Sequence, residues 1–217
     1  TTSLKEAKEI KPDIVFVTNP SIFHIETALE FPESHLFIEK PLGPGLDRLS
    51  ELEEAAEKNK LVSMVGYQTR FNPLISKIKK IIESNSGKMI TASFEWNTFL
   101  PGHHKYEDYS KGYAARKDLG GGVVLGLIHE IDLICYLLGM PSEVHAFGGK
   151  LSGLKMDVED TVMAVFDYEK CLAYLNLSYA QTKEERKFKI QFQNSTLFAD
   201  LTENRYWLYG KKGELIE

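Results

Sequence analysis

The 217-residue sequence has only two cysteines, Cys135 and Cys171, both in apolar segments and without CxxC spacing. That pattern excludes a disulfide-stapled scaffold and a thiolate metal site, and it reads as two reduced core residues. No apolar run approaches the roughly 20 residues of a membrane-spanning helix. The opening stretch TTSLKEAKEIKPD is charged and amphipathic rather than signal-like, so the expected compartment is cytoplasmic, with no membrane partner. Charge of one sign is nowhere concentrated: 26 basic and 31 acidic side chains are dispersed to a net −5, which argues against nucleic acid and leaves small molecules as partners. HExxH is absent as well, and the consecutive His103 and His104 point apart, so no metal is expected. Finally, no GxGxxG turn is present. The nearest match, Gly43-Pro44-Gly45, is spoiled by Pro44 and lacks a third glycine, so the chain carries no pyrophosphate cradle of the dinucleotide-binding kind.

What is present is an alternation of apolar runs and helix formers. Residues 3–10 read as the tail of a helix, and IVFVT (14–18) is a nearly continuous β-branched run of the kind buried on both faces of a parallel sheet. Asn19-Pro20 breaks it, Ser21 is placed to cap a helix over 22–30, and Phe31-Pro32 closes that helix. HLFIE (35–39) is the next strand, residues 47–60 are rich in helix formers, and LVSMVGYQ (61–68) is a third strand. A β-α-β-α-β order gives parallel strands with right-handed crossovers. It therefore brings Thr18-Asn19-Pro20, Glu39-Lys40-Pro41 and Gln68-Thr69-Arg70 to one edge, where open α/β sheets bind ligands. Pro41 biases Lys40 away from the helical region and so holds its ammonium at that edge.

Pro73 opens a helix whose Ile75, Ile78, Ile81 and Ile82 repeat at helical spacing, and Asn85-Ser86-Gly87 ends it. The expected domains are residues 1–86 and 87–217. Beyond the boundary MITASFEWNTF alternates, a polar and aromatic loop follows (101–118), and GGGVVLGLIHEIDLICYLLG reads as one helix. Strand-like runs separated by turn residues then predict a mostly antiparallel sheet covered by helices on one face. The fold class is α/β followed by α+β. In the loop, Tyr106, Tyr109, Tyr113, Arg116 and Lys117 offer hydroxyl and cationic donors to a polyol or an anionic group. On the long helix Asp132 stands three residues after His129 and faces the same way. A lone histidine on so apolar a helix is more often a hydrogen-bonded core group.

Four stretches together, PDIVFVTNPSIFH (12–24), HLFIEKPLG (35–43), VGYQTRFNP (65–73) and KGYAARKDLGGGVVLGLIHEID (111–132), resemble the Gfo/Idh/MocA oxidoreductases, in the family's order and at its intervals. The resemblance implies that residues 1–86 are the C-terminal part of a Rossmann domain, with the glycine-rich half upstream and some C-terminal residues also lacking. It implies NAD or NADP as cofactor, and hydride transfer to or from a secondary alcohol or ketone of a sugar, nucleotide sugar or polyol. Lys40 and His129 would be catalytic. Thr18, Asn19, Pro20, His24, Glu39, Lys40, Gln68 and Arg70 would contact the cofactor, and the loop residues with Asp132 would contact the substrate. The aromatic C-terminal strands would build a homodimer or homotetramer. Many members carry an aspartate three or four residues before the histidine, and here those positions are Gly126 and Leu125. This departure keeps open a second reading, a regulatory protein that binds cofactor or sugar without turnover, and a third, a subunit whose sheet mainly builds an oligomer.

Overall fold

A computed structural model describes residues 3–84 and 87–217. Strands β1 (Ile14–Val17), β2 (His35–Ile38) and β3 (Ser63–Val65) form a parallel sheet in the order β1-β2-β3, and helices α1 (Leu4–Glu9), α2 (His24–Leu29) and α3 (Leu49–Lys58) alternate with them. Register runs Val15 to Leu36 and Leu36 to Ser63, so the three carboxyl ends emerge together, as the alternating pattern requires. Val17, Ala28, Phe31, Leu36, Ile38 and Leu52 make the core of this part.

Two local expectations fail. The β1 strand is not buried on both faces: Ile14 is 56% and Phe16 67% exposed, because α2 and α3 both pack into the one core cluster and nothing among the described residues covers the opposite face. Nor does Ser21 cap a helix. A short 3₁₀ turn (Ser21–Phe23) precedes α2, and the Ser21 hydroxyl donates instead to the carbonyls of Leu119 and Gly120, both at 3.2 Å. A partner 98 residues away thus wins over the local cap.

Helix α4 (Pro73–Ser84) begins at the proline that the sequence marks. It buries Ile75 and Ile78 completely, in the core of the larger sheet. Each such side chain contributes roughly 1.5–3 kcal/mol. The terminator Asn85-Ser86, and with it the boundary expected after residue 86, lies outside the described residues.

The larger sheet contains β4 (Met89–Phe99), β5 (Glu143–Gly149), β6 (Thr161–Asp167), β7 (Leu172–Ser178), β8 (Ala180–Phe192), β9 (Ser195–Asp200) and β10 (Arg205–Gly210) in the order β10-β9-β8-β4-β7-β6-β5. Every neighbouring pair is antiparallel except β4 with β7. Period-2 alternation sends Ala164 and Phe166 of β6 inward, while Met163 is 60% exposed on the outer face beside Phe147 at 81%. On the inner face the expected single helix is two: α5 (Val123–Gly126) and α6 (His129–Leu138), the latter burying Leu133, Ile134 and Leu137. No single helix among the described residues is long and apolar enough to cross a membrane.

Candidate active site

Lys40 leaves the end of β2 half-buried, and its bond to Pro41 is cis. Its Nζ donates to the carbonyl of Gly126 at 2.9 Å. The carbonyl is free to accept because the helix breaks there: the Glu130 amide turns back to Leu127 and that of Asp132 to Ile128, so no i+4 amide claims Gly126. Burial lowers the Lys40 ammonium from its ordinary value. The carboxylate of Glu39 opposes that shift and the guanidinium of Arg186 adds to it. No carboxylate forms an ion pair with Lys40 among the described residues, so the amine is left facing the space beside it.

That space is two adjoining cavities that share Lys40 and Tyr113. One, about 330 Å³, lies at the strand ends and is walled by Thr18, Asn19, Pro20, Ser21, His24 and Glu39. The other, about 310 Å³, lies toward the larger sheet, and Trp96, His103, Tyr109, Gly126 and Tyr179 help to line it. Six of the eight residues expected to contact a cofactor, Thr18, Asn19, Pro20, His24, Glu39 and Lys40, therefore fall on the first cavity. Tyr109 and Tyr113, from the group expected to meet substrate, fall on the second. His24 shapes its wall rather than facing in: it is 1% exposed, and its two ring nitrogens lie 2.7 Å from the carbonyl oxygens of Pro41 and Asn19.

Other expected residues are engaged elsewhere. The Arg70 guanidinium grips Asp132 through a bidentate ion pair and lies between the rings of Tyr67 and Tyr136, so these two residues hold α6 to the segment after β3 and do not line either cavity. Arg116 is closed onto Asp118, and the Lys117 amide donates to Asp157. Tyr106 is 82% exposed against His104, and Gln68 is exposed at the start of a 3₁₀ turn. None of these four lines the two cavities.

His129 stands behind the wall. It is 3% exposed, between the rings of Tyr67 and Trp96, and among the described residues its Nδ1 has no hydrogen-bond partner. Burial, then the charges of Lys40 and Arg186, push its pKa down to about 4, so the ring is neutral at pH 7. The next residue, Glu130, is buried and bound by Arg186 through Nε at 2.7 Å and Nη2 at 3.1 Å, while that guanidinium stacks on Trp96. Burial raises the Glu130 carboxyl and Arg186 pulls it back.

Four residues at this site are given no role in it by the sequence. Trp96 and Arg186 alternate along strands with nothing to mark them. His103 has one nitrogen 2.8 Å from the Thr98 hydroxyl, and burial lowers its pKa; its only signal was a loop that looked solvated. Tyr179 sits between β7 and β8, where an aromatic reads as core.

Comparison with known proteins adds the following. The family model of the GFO/IDH/MocA C-terminal domain matches residues 75–216. The chain is 28% identical over 179 residues to an uncharacterized oxidoreductase, YrbE, of Bacillus subtilis, covering 75% of this chain and 50% of that one. It is 30% identical over 142 residues to levoglucosan dehydrogenase of Pseudarthrobacter phenanthrenivorans, covering 62% and 36%. The chain thus spans half or less of the length of these curated relatives. Among solved structures, levoglucosan dehydrogenase with NADH and L-sorbose superposes at a TM-score of 0.85 and 17% identity, covering 99% of this chain and 62% of that one. The WlbA dehydrogenase of Bordetella pertussis with NADH and UDP-GlcNAcA gives 0.80 at 20% identity, covering 92% and 59%. At those identities the likeness establishes the fold.

Proposed function

The chain belongs to the GFO/IDH/MocA family, and from that premise we propose that the whole protein is an NAD- or NADP-dependent oxidoreductase acting on a secondary alcohol or ketone of a sugar, nucleotide sugar or polyol. The observation that carries this reading is the pair of cavities meeting at Lys40. A hydride transfer needs two compartments in contact, one for the nicotinamide and one for the carbon it reacts with, and a proton-handling group at the seam. We assign residues 1–86 to the cofactor side and 87–217 to the substrate side, and the outer face of the larger sheet, with Phe147, Met163, Tyr174 and Phe198 exposed, to contacts between copies of the chain. Levoglucosan, L-sorbose and UDP-GlcNAcA in the relatives point to a sugar ring as the common substrate element.

The residues present fit one end of such a cofactor. The strand-end cavity offers the Thr18 hydroxyl, the Glu39 carboxylate and the Lys40 amine around a space suited to a nicotinamide and its ribose. The glycine-rich turn for a pyrophosphate is not in the sequence. When bound, the nicotinamide supplies the hydride acceptor or donor. The protein's own part is proton management. An amine lowered from the usual lysine value takes the hydroxyl proton of an alcohol more readily than an exposed, fully charged lysine, and returns it to a ketone oxygen in reverse.

One observation favours the non-catalytic alternative: the conventional second group, His129, is buried behind Trp96, and neither Gly126 nor Leu125 supplies a carboxylate. Calorimetric titration of the whole protein with NAD and NADP, followed by assay with levoglucosan, D-xylose, inositol, glucose 6-phosphate and UDP-N-acetylglucosamine, separates the readings. Binding with turnover is the expected result. Binding of cofactor with no reduction on any of these sugars would favour the regulatory protein, and no binding would remove both.

A further inference from the structure

Tyr179 is 1% exposed, yet among the described residues its hydroxyl has no hydrogen-bond partner. Its backbone is pinned: the amide donates to Asp160 at 2.8 Å and the carbonyl accepts from Leu100 at 3.0 Å. The ring meets His103 edge-on at 6.0 Å, and the side chain forms part of the wall of the cavity that Lys40 enters. The position of the hydroxyl is marked by Gly126. A Cβ at residue 126 would lie 1.8 Å from the phenol oxygen and 3.0 Å from Cζ, so the hydroxyl fills the place a side chain there would take. The carbonyl of the same Gly126 receives Lys40 Nζ. The buried ring thus presents a hydroxyl with no protein partner among the described residues at the wall of that cavity, where a ligand oxygen can accept its proton.

We propose that the Tyr179 hydroxyl is a catalytic hydrogen-bond donor to the reacting oxygen of the substrate, paired with Lys40 across Gly126 in place of a carboxylate on the helix. Burial, and then the neighbouring Tyr113 and Glu159, hold the phenol above its ordinary value, so it keeps its proton at neutral pH. In the oxidative direction the C–H bond breaks and its electron pair leaves as hydride to the oxidised nicotinamide cofactor. The O–H proton passes to the Lys40 amine in its unprotonated form, and Tyr179 keeps its own proton while donating to the oxygen as negative charge builds there. In the reductive direction the same bond polarises the ketone. Gly126 is required because any larger residue would displace the hydroxyl.

The inference rests on the dehydrogenase reading, and its test distinguishes the two. The whole protein and its Tyr179→Phe variant are compared on whichever of levoglucosan, D-xylose, inositol, glucose 6-phosphate and UDP-N-acetylglucosamine the parent oxidises fastest. The expected result is kcat lowered roughly a hundredfold, as for loss of one oxyanion donor, with NADH affinity unchanged by calorimetry. Affinity for the same sugar without cofactor should fall about three- to tenfold. Unchanged kcat and sugar affinity in Tyr179→Phe would overturn the role of Tyr179 and leave the dehydrogenase standing. A parent that oxidises none of the five removes both. Should Tyr179→Phe fail to fold, 3-fluorotyrosine at position 179 keeps the shape and strengthens the donor; kcat should then change at least about twofold, and an unchanged kcat overturns the proposal.

Discussion

The end of β2 and the start of α6 carry comparable densities of ionisable groups, a few residues apart across the same seam, and they dispose of them in opposite ways. On α6 every charge is matched: Glu130 is clasped by Arg186 and Asp132 by Arg70, each through two guanidinium nitrogens. At β2, among the described residues, the Lys40 ammonium finds only a carbonyl oxygen, and Glu39 accepts only the Lys40 amide at 3.2 Å. Matched charges fasten the helix and are spent on structure. The unmatched amine faces the cavities and keeps its proton chemistry available. The difference is a matter of partners, since Glu130 and Asp132 are more deeply buried than Lys40.

That contrast is broken most severely by Arg186→Met, which strands the buried carboxylate of Glu130. Loss of about 3–5 kcal/mol is expected, as for other half-removed buried pairs. Urea unfolding measures it, and Arg186→Met combined with Glu130→Leu should recover most of the loss. A single replacement as stable as the parent would mean that the pair contributes nothing to holding α6.

At the other end, Lys40→Met in the whole protein should cut turnover by roughly a hundredfold or more and shift unfolding by no more than about 1 kcal/mol, because only one hydrogen bond to a carbonyl is lost. Full activity in this variant would leave the end of β2 a structural turn. A large stability loss with little effect on turnover would reverse the contrast altogether.

His129 tests the boundary between the two regions. Its folded pKa of about 4 lies below the unperturbed value of about 6.5. The unfolded chain therefore takes up a proton in that window and the folded protein does not. Stability should fall as pH drops from about 6.5 to about 4, by on the order of 3 kcal/mol, and level off below. His129→Gln should flatten this slope in thermal melts recorded across the window. An unchanged slope would mean that neither burial nor the cations of Lys40 and Arg186 hold the ring neutral.

Much of this was legible in the chain itself. Period-2 and helical apolar repeats, with Pro73 and Asn19-Pro20 as punctuation, determined the alternation of strands and helices, and a β-α-β-α-β order leaves one geometry for the strand ends. The positions of Thr18, Glu39 and Lys40 on a common cavity follow from that order, because parallel connection is a local consequence of connection length. What the sequence could not determine were the choices made between distant partners. Arg70 could face a ligand or Asp132, the Ser21 hydroxyl could cap its own helix or reach Leu119, and an apolar segment from Val123 to Leu138 could run as one helix or break at Gly126. Each choice compares local energies of about a kilocalorie per mole with contacts 60 to 100 residues away, visible only once the two sheets are set side by side. The seam at Lys40 is decided there, by which carbonyl the broken helix frees and which hydroxyl fills the space that a glycine leaves.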